Sequence, residues 1–253
     1  MPDIRLYHGD CLELMKQIPD NSVDMVLCDL PYGTTACKWD VIIPFEPLWE
    51  HYRRLCKVNA AIVLFASQPF TSMLVTSNLK MFRHEWIWRK NRGSNFANTV
   101  REPFKEHEEI LVFSNGKWKY HKQMEKRHGA GAGRAKYRYS NSTRSDNYNG
   151  FGEVNSKEFT QLRVPSSVQD FNTEVGMHPT QKPVSLLSYL IRTYSDEGDF
   201  ILDNCMGSGS TGVACLETGR SFIGIEKDEH YFNVAKERIE MKQKQGVQGE
   251  LFS

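Results

Sequence analysis

The chain has 253 residues, 40% of them hydrophobic, which suits one large α/β core or a core carrying an inserted segment. Its net charge of +1 means that affinity for an acidic polymer must come from uneven charge distribution. There is no apolar run of the ~20 residues a membrane helix needs and no signal peptide in MPDIRLYHGD, and six cysteines without a C-x-x-C pair point to reduced thiols in a cytoplasmic protein and away from a metal site.

Ile4 to Tyr7 predicts a short strand ended by Gly9-Asp10, and Cys11 to Gln17 a helix. Residues 23–29 are too apolar for a half-exposed strand and suit a parallel sheet covered on both faces. Pro44 to Cys56 predicts a helix with proline in its first turn, Ala60 to Ala66 a second buried strand, and Pro69 to Asn78 another helix. Further strands are expected at His84–Trp88 and Ile110–Phe113. From Lys117 to Arg144 there are nine Lys/Arg against one acid, Glu125, around Gly129-Ala130-Gly131-Ala132-Gly133. The chain stays polar to about residue 172, with neither a long helix nor alternating strands expected. Order returns at Pro183, where Leu186, Leu187, Leu190, Ile191 and Tyr194 share a helical face. A strand at Phe200–Leu202 meets Asp203, a helix runs from Ser210 to about Thr218, Ser221–Glu226 is the next strand, and Asp228 caps a final helix.

Between that strand and helix, Gly207, Gly209 and Gly212 match G-x-G-x-x-G. Such glycines allow a tight turn and close backbone approach to a ligand at a helix N-terminus. Glu226, ending the next strand, can accept both hydroxyls of a ribose, so the unit predicts a nucleoside cofactor. Few residues follow it, so the rest of a doubly wound sheet must come from the N-terminal half.

Three motifs, in this order, resemble the DNA amino-methyltransferases whose catalytic motif precedes the cofactor motif. Asp29-Leu30-Pro31-Tyr32 is similar to their D-P-P-Y, His178 to Pro183 to H-P-T-x-K-P, and Asp203 to Thr211 to D-P-F-x-G-S-G-T-T; Gly93-Ser94-Asn95-Phe96 and His107-Glu108 add to the likeness. Leu30 stands where the family has proline, and Asn204 and Cys205 where it has Pro and Phe. The resemblance implies a doubly wound, mostly parallel sheet flanked by helices, with circularly permuted motifs. It implies a catalytic half at 1–116, a target-recognition insertion at 117–172, a cofactor-binding half at 173–244 and a tail at 245–253. It further implies S-adenosyl-L-methionine as methyl donor. Asp203, Gly207 and Gly209 would hold its methionine part, Glu226 its ribose, Asp10 its adenine, and Thr180 and Lys182 its carboxylate side; Cys205 would meet the cofactor where the family packs a ring on it. For Asp10 a helix N-cap is the competing reading.

The catalytic motif has a chemical rationale. An exocyclic base amine is a poor nucleophile because its lone pair is delocalised into the ring. Two acceptors on its two hydrogens would draw that pair out: the Asp29 carboxylate and the main-chain carbonyl of Leu30, which a Leu supplies as well as a Pro does. Pro31 keeps Leu30 extended, and Tyr32 can stack on a base flipped out of the duplex. The resemblance favours adenine N6 over cytosine N4, because Ser is commoner at the Asp29 position in the cytosine group. A catalytically inactive DNA-binding module is the alternative outside the enzymes.

The basic segment is the expected reader of double-stranded DNA. Lys122, Lys126, Arg127, Arg134, Lys136 and Arg138, interleaved with tyrosines, suit phosphates and stacked bases. At the end, Gln248 to Phe252 resembles the Q-x-x-L-F peptide that docks on bacterial sliding clamps, although a frayed terminus is the simpler reading of five residues.

Overall fold

The computed structural model describes residues 2–34, 40–126, 162–174 and 181–251, with side chains described to residue 245. Ten strands are described: β1 (Ile4–His8), β2 (Val23–Asp29), β3 (Cys56–Ala66), β4 (Phe82–Arg89), β5 (His107–Phe113), β6 (Glu125–Lys126), β7 (Leu162–Arg163), β8 (Val168–Asp170), β9 (Phe200–Asp203) and β10 (Ser221–Glu226). The helices are α1 (Cys11–Leu14), α2 (Phe45–Leu55), α3 (Phe70–Ser77), α4 (Val184–Tyr194), α5 (Ser210–Glu217) and α6 (Glu229–Leu251). None is long and apolar enough to cross a membrane, among the described residues.

Eight strands form one sheet in the order β1-β10-β9-β2-β3-β5-β4-β8. The first five are mutually parallel; β5 runs against β3 and β4. Strand periodicity explains why β2 reads as an unbroken apolar run. Val26 and Cys28 face one core layer with α2 and α3, while Met25 and Leu27 face the other with α4, α5 and α6. The one acid inside β2, Asp24, is 4% exposed, and its carboxylate accepts from Lys57 Nζ at 2.8 Å and the Phe200 amide at 3.1 Å. Those partners sit at the edge where β2 begins, away from the motif at its end.

The topology places the motifs. β2-α2-β3 and β9-α5-β10 leave a central pair of adjacent parallel strands and travel outward in opposite directions, with their helices on opposite faces. This is a topological switch point, where a crevice opens beyond the carboxyl ends of the strands. Asp29 ends β2, Asp203 ends β9 and Glu226 ends β10, all at that edge.

Four local expectations change. The predicted helix at Cys11–Gln17 is α1 followed by a 3-10 turn at Met15–Gln17. β3 begins at Cys56, earlier than its apolar run. Val168–Asp170, inside the stretch expected to lack alternating strands, pairs with β4 as the sheet's last strand. The backbone of α6 is helical through Leu251, into the expected tail. The chain divides into two compact units, Met1–His121 with Ser167–Ser253, and Lys122–Ser166; within the second, β6 pairs with β7 and Arg163 pairs with Glu125.

Candidate active site

A cavity of about 610 Å³ opens at the switch point. Its lining draws on β2 and its motif loop, on the turn after β9, on the end of β10, and on Glu108, Gln181 and Lys182.

On the β2 side, the Asp29 carboxylate is held at both oxygens. Tyr32 donates its hydroxyl to Oδ1 at 2.7 Å, and Lys182 Nζ donates to Oδ2 at 2.6 Å. Lys182 is only 7% exposed, lies 3.2 Å from Glu108 Oε2, and sits over the Phe65 ring at 5.1 Å. Lys90 pairs with the other oxygen of Glu108. The result is a buried chain of alternating charge: Asp29, Lys182, Glu108, Lys90. Burial raises the Asp29 pKa and Glu108 adds to it, while Lys182 and Tyr32 pull it back; the balance leaves it above the ordinary carboxylate value. Burial also opposes ionisation of Glu108, yet Lys182 and Lys90 hold it below the ordinary value. Lys182 is kept protonated by its two carboxylates, despite its burial.

The motif loop is tied down beyond Tyr32. The Gly33 and Thr34 amides donate to the two oxygens of Asp40 at 2.8 and 2.9 Å. Asp40 thus joins the two ends of the loop whose middle, 35–39, lies outside the described residues. The Tyr32 ring stacks on Phe70 with centroids 5.1 Å apart, and the Leu30 side chain is buried in the α2-side core.

The turn after β9 is organised around Asp203, which is 3% exposed. Its carboxylate accepts from the Thr211 hydroxyl at 2.6 Å and the Cys205 amide at 3.1 Å. Burial outweighs these bonds and lifts its pKa to about 7. The Glu226 carboxylate accepts from the Gly207 amide at Oε2 and the Asp228 amide at Oε1, each at 2.8 Å. Each oxygen retains a lone pair for a further donor. Asn204, where the family has proline, accepts the Tyr52 hydroxyl at 2.6 Å and so ties this turn to α2.

The glycines divide. Gly207 lines the cavity with φ +50°. Gly209 and Gly212 serve helix packing: a Cβ on Gly209 would lie 2.9 Å from Ala235 Cβ, and one on Gly212 would lie 2.4 Å from Ile239 Cδ1. Gly209 also has φ +77°, a conformation glycine adopts without strain. The missing Cβ of Gly209 thus lets α6 close on α5.

The family model described as DNA methylase, of the N6/N4 type, matches residues 23–237. The chain belongs to the N6/N4 DNA methylases. This methylase is 29% identical over 251 residues to the type II methyltransferase M.HpaI of Haemophilus parainfluenzae, covering 94% of this chain and 74% of the relative. It is 28% identical over 259 residues to the DNA adenine methyltransferase YhdJ of Escherichia coli K12, covering 93% and 82%. Among solved structures it resembles the M1.HpyAVI–SAM complex with TM-score 0.64, 25% identity and coverage of 93% and 98%. It shares its fold with the cytosine-N4-specific PvuII DNA methyltransferase, at TM-score 0.66 and 14% identity over 92% and 85% of the two chains.

Within this methylase the expected site residues are placed as follows. Asp29, Leu30, Pro31, Tyr32, Asp10, Lys182, Asp203, Cys205, Gly207 and Glu226 all line the one cavity. Asp10 is the N-cap of α1: its Oδ1 accepts from the Leu12 amide at 3.0 Å and its Oδ2 from Lys227 at 3.1 Å. Lys182 sits on Asp29 and Glu108 while also lining the cavity. Lys122 and Lys126 are exposed in the second unit. Thr180, Arg127, Arg134, Lys136, Arg138 and Phe252 lie outside the described residues, as do the side chains of Gln248 to Leu251. Glu108, Asp40 and Asn204 received no role from sequence reasoning. Glu108 carried one signal, its place in the family-like His107-Glu108.

Proposed function

We propose that the chain transfers a methyl group from S-adenosyl-L-methionine to the N6 amine of an adenine flipped out of double-stranded DNA. One observation carries this reading: the Asp29–Tyr32 motif and the Asp203/Glu226 nucleotide unit open into a single cavity. The likeness to a DNA adenine methyltransferase supports the choice of adenine. The reading has the enzyme work on DNA in the cytoplasm of a bacterium, where a type II methyltransferase would protect it, with the region 117–172 recognising the target.

The residues present fit the cofactor. Among the described residues no cation pairs with the buried Asp203 carboxylate, whose pKa burial lifts to about 7, and an ammonium would supply one. The Glu226 oxygens, already aligned by two amides, suit two ribose hydroxyls. Bound there, the cofactor would supply a methyl on a sulfonium, from which a neutral thioether leaves. The chain's own task is to place and sharpen the nucleophile. Asp29 and the Leu30 carbonyl accept the two amine hydrogens, and Tyr32 supports the base. Lys182, braced by Glu108, fixes the Asp29 carboxylate so that positioning is settled before the base arrives. Asp29 then receives the proton that the amine sheds after transfer; its raised pKa favours that step.

The test is incubation with unmethylated DNA and S-adenosylmethionine labelled in its methyl group, followed by identification of the modified base. Label in N6-methyladenine is expected. Label in N4-methylcytosine would overturn the base assignment, and no transfer to any DNA would overturn the function.

A further inference from the structure

The segment 90–106 joins β4 to β5 at the same sheet edge where Asp29 ends β2. Its root belongs to the active site, because Lys90 pairs with the cavity-lining Glu108. The loop has a fixed shape. The Asn95 side chain accepts from the Lys105 amide at 2.7 Å and donates to Glu102 and to the Pro103 carbonyl, both at 3.0 Å. Phe104 covers Gly93 so closely that a Cβ there would lie 2.4 Å from its ring. Two consecutive turns follow Asn95, closed by Thr99 on Phe96 and by Arg101 on Asn98.

On this frame Phe96 is 82% exposed and Val100 is 84% exposed. A scattered exposed apolar side chain needs no explanation. Two on a fastened turn at the sheet edge that carries the active site are another matter, since anchoring removes the freedom to fold them inward. Arg92 and Arg101, on the same loop, are exposed and form no ion pair among the described residues. Apolar side chains flanked by uncommitted cations complement stacked bases flanked by phosphates.

We propose that this loop is a DNA-contacting element in which Phe96 and Val100 cover the bases unstacked when the target leaves the helix, while Arg92 and Arg101 meet the adjoining phosphates. The proposal rests on the base-flipping reading above. Extruding a base leaves its neighbours' faces in water and costs stacking, and an apolar wedge recovers part of that loss.

The experiment compares wild type with Phe96→Ala/Val100→Ser on two duplexes carrying the sequence the enzyme is found to methylate. One has the correct partner opposite the target base and one a mismatch, which makes extrusion easier. The variant is expected to lose about tenfold or more in kcat/KM on the matched duplex, and distinctly less on the mismatched one, with cofactor affinity unchanged. No loss, or the same loss on both duplexes, overturns the wedge. So does a wild-type dimer that the double substitution converts to monomer, since the occupant is then a second copy of this chain. Failure of the wild type on every DNA would instead defeat the proposed function and the wedge with it; an active wild type and an equally active variant defeat the wedge alone.

Discussion

At Asp29 the neighbouring charges decide how the site answers to pH. Catalysis by the proposed route needs the carboxylate, so activity falls as pH drops through the Asp29 pKa, which burial already raises. Lys182→Met removes the cation that pulls this pKa down; the pKa rises further and the acid limb of the kcat profile moves to higher pH. Glu108→Gln removes a like charge; the pKa falls and the acid limb moves to lower pH. Opposite shifts in the two variants are expected, and two unshifted profiles would show that the network does not tune Asp29. Asp29→Ala should lower kcat by about a hundredfold or more while equilibrium cofactor binding persists. The motif was legible as a line of text, because a carboxylate, a proline and an aromatic side chain at a strand's end have few other uses together. Its partners were not. Lys182 is 153 positions from Asp29, and only folding sets its Nζ 2.6 Å from the carboxylate.

The glycine-rich turn and α6 act as one element pair. Gly212→Ala would drive a methyl group into Ile239, so a loss of about 1–3 kcal/mol in unfolding free energy is expected from urea melts. Adding Ile239→Ala should return part of that loss, because it vacates the colliding atoms. A second mutation that only adds its own penalty would mean that this collision is not the cause. The sequence pattern G-x-G-x-x-G identified the turn correctly as a turn, but it cannot say whether a missing Cβ makes room for a ligand or for another helix. The long apolar strands were legible because both faces are covered and composition alone signals that. β8 was not: three residues, mostly exposed, owe their conformation to pairing with β4, which is a property of β4.

Over the whole molecule, charge is distributed unevenly enough to offset a net charge of only +1. The proposed recognition region carries the excess of lysine and arginine, whereas the network at Asp29 is buried and neutralised internally. Reversing Arg134 and Arg138 to glutamate should weaken DNA binding and reduce the slope of log affinity against log salt by about 0.9 for each phosphate that is no longer neutralised. Calorimetric affinity for S-adenosylmethionine should stay as in wild type. A salt slope unchanged in the double variant would remove these residues from the interface.

The sequence by itself determined the class of sheet, the order of the motifs and the family, because each is written in contiguous residues: apolar runs for covered strands, a carboxylate and stiff turn at one strand's end, glycines and an acid around another. Tertiary structure decided what those residues do to one another. It set β2 beside β9 so that two motifs far apart in the chain share one crevice. It set Lys182 on the Asp29 carboxylate, packed Gly209 and Gly212 against α6, and brought Glu108 into the charge network. The physical reason is common to all of these. Hydrogen bonds, ion pairs and packing distances act over a few ångströms of space, and a linear pattern records which groups are available without recording which of them will be neighbours.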